Sequence, residues 1–214
     1  MFKRLAVLLT ICALGALLTA AAAVAAAPQN QARQALETAV TGILEDIKNP
    51  AYANPATRAS MRGRIEADVR KIFDFDEFAS RTAGANWRRF TPEQRTSFSN
   101  AFADLLLSTY LGKIDGYSGE KILYTGEVSS PSGDRVEVRT DLKLNNGKTI
   151  PVAYRMLSKQ GSWRVYDVLI EGISLVKNYR TQFQDILGKG TPEQLIARVQ
   201  DKAREMRDQN HAKQ

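Results

Sequence analysis

Apolar positions along the chain change period twice, and the changes divide it into helices, a sheet and helices again. From Gln31 to Lys48, Ala35, Leu36, Ala39, Val40, Ile43, Leu44 and Ile47 recur at intervals of three and four, the stripe of an amphipathic helix that Asn49-Pro50 ends. Asn54-Pro55 opens a second helix with a stripe of Met61, Ile65, Val69 and Ile72. The pattern breaks at Phe73-Asp74-Phe75-Asp76 and restarts as a short helix closed by Gly84, with Asp74 or Asp76 as its cap. Thr91-Pro92-Glu93-Gln94 is a capping box, and the helix it starts buries Phe98, Phe102, Leu105, Leu106 and Tyr110.

Between Lys121 and Ile170 the period falls to two. Four strands are predicted, Lys121–Val128, Arg135–Leu144, Thr149–Leu157 and Trp163–Ile170, separated by short turns of which Asn146-Gly147 is the clearest. Links this short force antiparallel neighbours, hence a four-stranded meander. The second strand alternates Val136, Val138, Thr140, Leu142 and Leu144 with charged residues, so one face is covered and the other wet. After Gly172, Val176, Tyr179, Phe183, Ile186 and Leu187 form another helical stripe, and a last helix from Pro192 frays into a polar tail over residues 206–214. The fold class is α+β, with amphipathic helices packed over one sheet face. Periodicity leaves open whether the layers enclose a filled core or an apolar cavity.

The 214 residues suffice for one sizeable domain, expected over residues 28–205, and 43% apolar with 25% charged residues is ordinary for a globular chain. Met1 to Ala27 reads as a secretory signal, with Lys3 and Arg4 before an apolar run and a cleavage site near Ala25–Ala27. Its removal takes the net charge from +7 to +5 and removes Cys12, so the mature chain folds without disulfides. That positive balance suits an anionic surface or acidic partners, or serves only solubility.

Candidate chemistry is sparse. His211 is the single histidine, and no phosphate loop or nucleophile elbow is present. Ser118-Gly119-Glu120-Lys121 has the Ser-x-x-Lys spacing of penicillin-binding enzymes but lies in a glycine turn with no Lys-Thr-Gly after it. No metal site or cofactor is expected. Asp167 stands out, because strict alternation places it on one face with Val165 and Leu169. Either the strand carries a bulge or a carboxylate points at the apolar layer, to be paired with Arg155, bonded to backbone, or used as a base.

The last strand and the segment after it, Trp163-Arg164-Val165-Tyr166-Asp167-Val168-Leu169-Ile170-Glu171-Gly172-Ile173-Ser174 and on through Tyr179 to Phe183, resemble the MlaC family. These are periplasmic phospholipid-binding proteins of the lipid-asymmetry and toluene-tolerance transport systems. The likeness extends to Phe73-Asp74-Phe75-Asp76 and to Trp87-Arg88-Arg89-Phe90-Thr91-Pro92-Glu93-Gln94-Arg95. It implies a non-enzymatic periplasmic carrier that shuttles phospholipid between outer and inner membranes, its acyl chains in an apolar pocket between sheet and helices. The implied partners are an outer-membrane lipoprotein complex and an inner-membrane ABC transporter. By alternation and family position, the acyl chains are expected against Val138, Leu142, Ile150, Val152, Tyr154, Met156, Leu169 and Ile173, and against Phe78, Phe102, Leu106, Tyr110, Val176 and Tyr179 of the helices. Two other readings are a periplasmic chaperone or lipoprotein carrier, and an isomerase-type enzyme with Asp167 as base and Tyr154 or Tyr166 as donor.

Overall fold

A computed structural model describes residues 28–112 and 116–211. The leader expected over residues 1–27 lies outside the described residues. Helices α1 (Pro28–Lys48), α2 (Pro50–Ala53), α3 (Pro55–Ile72), α4 (Phe75–Ala83) and α5 (Pro92–Leu111) precede the sheet, and α6 (Leu175–Lys189) and α7 (Pro192–His211) follow it. The starts are chemically explicit. Asn49, Asn54 and Asp74 each accept a backbone N–H of the helix they open. At α5 the Thr91 hydroxyl accepts the Gln94 N–H at 3.2 Å while the Gln94 side chain accepts the Thr91 N–H at 2.8 Å. Gly84 ends α4 at a φ of +58°, a conformation that costs a residue with a Cβ, and a 3-10 turn (Gly84–Arg89) not anticipated from periodicity joins α4 to α5.

The sheet comprises β1 (Lys121–Ser129), β2 (Arg135–Lys143), β3 (Thr149–Lys159), β4 (Ser162–Ile170) and β5 (Ile173–Ser174), antiparallel in sequential order. It has five strands where alternation predicts four. The fifth is a two-residue return of the chain through Glu171 and Gly172, both at positive φ, which pairs with Leu169 and Ile170. A strand of two residues has no periodicity to reveal it. Two bulges interrupt the register. Thr125 is extra on β1, between the pairs Tyr124 with Thr140 and Gly126 with Arg139. Tyr166 is extra on β4, between the pairs Val165 with Met156 and Asp167 with Arg155.

On one side of the layer boundary the core is solid. Phe98 stacks on Phe102 at 6.0 Å, and Phe183 meets both edge-on at 5.5 Å. This block packs with Val136, Val138, Met156 and Val165 of the sheet. Helix α7 lies along α5 through Leu195, Val199, Ala203 and Met206. It continues to His211, so the expected polar tail is helical as far as that residue, and 212–214 lie outside the described residues. Asn210 explains the extension: its side-chain amide donates to the Ser108 carbonyl at 2.6 Å, over Gly112, where a Cβ would stand 2.5 Å from it.

The junction of α3 and α4 is tied to the sheet by Asp74. Its N–H donates to the Val165 carbonyl at 2.9 Å, and its buried carboxylate accepts from the Glu77 N–H at 2.9 Å and from Lys159 at 2.8 Å. Burial alone raises this carboxyl, but the Lys159 and Glu77 bonds, with the Lys159 and Arg164 charges, outweigh it and hold it below the usual carboxylate range. A depressed pKa contributes stability that is present above the unfolded value, about 4, and is lost as pH falls through the folded one. Asp74→Asn is expected to cost roughly 2 kcal/mol at pH 7 and progressively less towards pH 3 in urea unfolding. A cost that stays constant across that range contradicts this account.

Candidate functional site

Beside the aromatic block the layers part around a cavity of about 410 Å³. Its roof is α1, through Leu36, Ala39, Val40 and Ile43, and its floor is the inner sheet face at Leu142, Val152, Tyr154, Val168 and Ile170. Helices α3, α4 and α5 close the sides with Val69, Ile72, Phe78, Leu106, Leu107, Tyr110 and Leu111, and Leu175 of α6 completes the wall. Among the described residues no charged side chain lines it. The stacked pair Phe73 and Phe75, 5.5 Å between centroids, separates it from an open polar cleft of about 440 Å³ beside Arg70, Lys159 and Arg164. Among the described residues no group of carboxylate, thiol or imidazole side chains could hold a metal.

Of the expected lining residues, Phe78, Leu106, Tyr110, Leu142, Val152 and Tyr154 stand on this wall. Phe102, Val138 and Met156 are instead fully buried in the solid core, where no void reaches them. Val176 is buried at the start of α6, and Tyr179 packs between Phe102 and Phe183, facing a separate groove along α5, α6 and α7. Ile150 pairs with Leu142 at the end of the sheet, outside the wall, and Ile173 is 64% exposed on β5. Leu169 is displaced from its expected place by one residue of parity. The bulge at Tyr166 sends Val168 and Ile170 inward, opposite Tyr154 and Val152, and turns Leu169 to the outer face. The α1 stripe is legible as a helix, but nothing in its spacing says that a void lies beneath it.

The same bulge settles Asp167. It turns the carboxylate away from the cavity to the outer face, where Asp167 pairs across the strands with Arg155. One oxygen accepts from Ser174 Oγ at 2.7 Å and Arg155 at 3.3 Å, and the other from the Val176 N–H at 3.0 Å. Ser174 in turn caps α6 by accepting the Lys177 N–H at 3.0 Å. Asp167 thus anchors the helix that carries Leu175 into the wall, and it does not face the space in which a substrate would sit. Tyr166 is also outside the wall, with the Arg81 guanidinium 4.2 Å above its ring.

The phenols near the void titrate high. Burial pushes up Tyr110 and Tyr154, and burial together with the neighbouring Tyr110 takes Tyr179 to about 12 against a bond from Thr109. All stay protonated at neutral pH.

The fold and its hollow define an α+β protein with an uncharged, ligand-sized apolar space between sheet and helices. The chain belongs to the MlaC family, whose model, described as MlaC protein, matches residues 37–201. It is 25% identical over 146 residues to the intermembrane phospholipid transport system binding protein MlaC of Haemophilus influenzae, covering 67% of this chain and 68% of that one. With the toluene tolerance protein ttg2D of Pseudomonas putida it shares 28% over 165 residues, 77% of this chain and 75% of the relative. A phospholipid-binding protein from Ralstonia solanacearum, solved in complex with a phospholipid, superposes with a TM-score of 0.71 at 26% identity, covering 82% of this chain and 98% of that one.

Removing the Asp167 carboxylate leaves the Val176 N–H without its acceptor and takes one partner from Arg155. Asp167→Ala is expected to lower unfolding free energy by about 3 kcal/mol in urea titrations and to raise amide exchange at the start of α6. A loss under about 1 kcal/mol would contradict the anchoring role.

Proposed function

We propose that this chain is a periplasmic phospholipid carrier that moves lipid between outer and inner membranes with its acyl chains in the cavity beneath α1. The observation that carries the reading is the uncharged wall itself, in a chain that resembles a protein solved with a phospholipid bound. A diacyl lipid carries about 30 methylenes, and at about 0.8 kcal/mol each, full exposure to water costs on the order of 20 kcal/mol. Unassisted crossing of an aqueous gap is correspondingly rare. A dry apolar cavity removes most of that cost without covalent chemistry, so the carrier needs no catalytic group, metal or cofactor.

The reading extends to the rest of the system. The leader is cleaved near Ala25–Ala27, and the mature chain receives lipid from, or delivers it to, an outer-membrane lipoprotein complex and an inner-membrane ABC transporter. Among the described residues no helix is long and apolar enough to cross a membrane. An enzyme built on Asp167 loses support, because that carboxylate is committed to Arg155, Ser174 and the Val176 N–H outside the cavity.

Native mass spectrometry of the protein purified from a bacterial periplasm, followed by lipid extraction, tests the proposal. Near-stoichiometric phospholipid is expected. Val152→Glu, which places a charge in the wall, and Ala39→Trp, which fills the space without one, should both lose bound lipid while keeping a cooperative thermal transition. Bound acylated protein would favour the chaperone reading. Full lipid occupancy in both folded variants would remove the cavity from the account.

A further inference from the structure

The bulge at Thr125 of β1 has the opposite effect on polarity from the one at Tyr166. Strict alternation from Tyr124, which faces inward opposite Thr140, would put Val128 inside and Glu127 outside. The extra residue reverses both. Val128 is left 48% exposed, and Glu127 sits on the inner face opposite Val138, in the same row as Tyr154. There the Glu127 Oε2 is shielded from solvent and has no hydrogen-bond partner among the described residues, and two residues on, the same holds for the Ser129 Oγ. Burial raises the Glu127 carboxyl, against the nearby Arg33 and with the nearby Glu37. Tyr124 and Tyr154 lie near enough to influence each other, and neither hydroxyl makes a hydrogen bond to the described residues; burial, with Tyr154 and Glu37 adding to it, pushes Tyr124 up to about 12. Above them Arg33 of α1 lies 5.1 Å from the Tyr124 ring centre and gives its Nε to Glu37 at 2.7 Å, its other N–H groups unused by the described residues.

Buried polar groups without partners are uncommon in folded proteins; here Glu127 follows Tyr124 on the inner face of β1 and shares a row with Tyr154 across Val138, while Ser129 lies one row further towards the solid core. Their chemistry is specific. Two phenols and a guanidinium edge donate, and match ester carbonyl and phosphate oxygens. A carboxylate oxygen accepts, and needs an N–H or O–H brought by the ligand. Tyr154 belongs to the cavity wall, and the row that leads from it across Val138 ends at Glu127, so the polar groups of β1 flank the apolar space on the same sheet face.

We infer that the inner face of β1, beneath α1, is the seat of the lipid's polar end: Tyr154 and Tyr124 take the glycerol ester region, Arg33 the phosphate, and Glu127 a hydrogen-bond donor on the head group. The inference rests on the carrier reading and adds to it a preference for head groups that carry a donor, such as ethanolamine, over choline, which has none.

The test is competitive uptake. The secreted protein, stripped of lipid, is offered equal amounts of phosphatidylethanolamine and phosphatidylcholine with identical acyl chains, and bound lipid is counted by native mass spectrometry. The wild type is expected to favour ethanolamine about tenfold, the value of one hydrogen bond to a charged group. Glu127→Met should bring the ratio close to one while keeping choline lipid bound, and Glu127→Gln, the variant closer in shape, should lower it to a few-fold. Tyr154→Phe should weaken both lipids alike by several-fold and leave the ratio intact. An even ratio in the wild type, or an unchanged ratio in folded Glu127→Met and Glu127→Gln, overturns the inference and leaves the carrier reading standing. If Glu127 serves only to keep the free edge of β1 from pairing with other chains, Glu127→Met self-associates with the ratio unchanged, which overturns it equally. Uptake of neither lipid by the wild type overturns the carrier reading itself.

Discussion

The side-chain parity of β4 is the constraint on which the rest of the structure depends. Up to Val165 the strand belongs to the solid core, and its inward residues have the Phe98 and Phe102 block to fill the space above them. One residue further the chain must line a void and also hold the start of α6. The extra Tyr166 does both. It brings Val168 and Ile170 round to the cavity, aims Asp167 outward at Ser174 and the Val176 N–H, and gives its own ring to Arg81 of α4. A regular strand would put Leu169 in the wall and the carboxylate opposite Tyr154, away from Arg155, Ser174 and the Val176 N–H that now hold it. The carboxylate would then have to be neutralised or would unseat the strand.

Packing density is divided accordingly. The aromatic block between α4, α5 and α6 leaves Phe78, Phe98 and Phe102 with no exposure at all, while α1 crosses the sheet with small and branched residues, Ala39, Val40 and Ile43, that do not reach across to it. A hollow survives only if the framework around it cannot collapse. Several features supply that rigidity: the Asp74 tie between the α3–α4 junction and the sheet, the Asp167 tie between β4 and α6, and the capping box that starts α5. None of these groups lines the cavity, and each fixes an element that does.

Much of this is legible in the sequence, and what is not has a local cause. The helix starts carry their own chemistry in Asn54, Asp74 and Thr91, and the four long strands carry theirs in alternation and turns. Fold class and element order come from such signals. Site residues are harder to read because a lining residue and a core residue have the same sequence signature. Val138 and Val152 are both inward valines on adjacent strands, and only the helices above them decide that one meets phenylalanine and the other empty space. Bulges are the second cause. Trp163 to Ile170 contains no glycine to announce an extra residue, so alternation puts Leu169 in the wall by a parity that the strand abandons at Tyr166. The α1 wall escapes prediction because a roof is defined by what it covers, which no single helix records.

The two bulges, taken together, separate folding from binding. At Tyr166 the irregularity satisfies everything it moves: apolar residues go inward, and the carboxylate finds three donors. At Thr125 it leaves groups that the described residues do not meet. A valine is exposed, a glutamate oxygen is buried without a partner, and Ser129 follows it. An edge strand under selection for stability alone gains from the regular register, which buries Val128 and returns Glu127 to water. Local rules broken without an internal compensation are the mark of a site whose compensation comes from outside. A carrier for an amphiphile has that need: an apolar space for the chains, and beside it polar groups left open for the part of the ligand that apolar walls cannot hold.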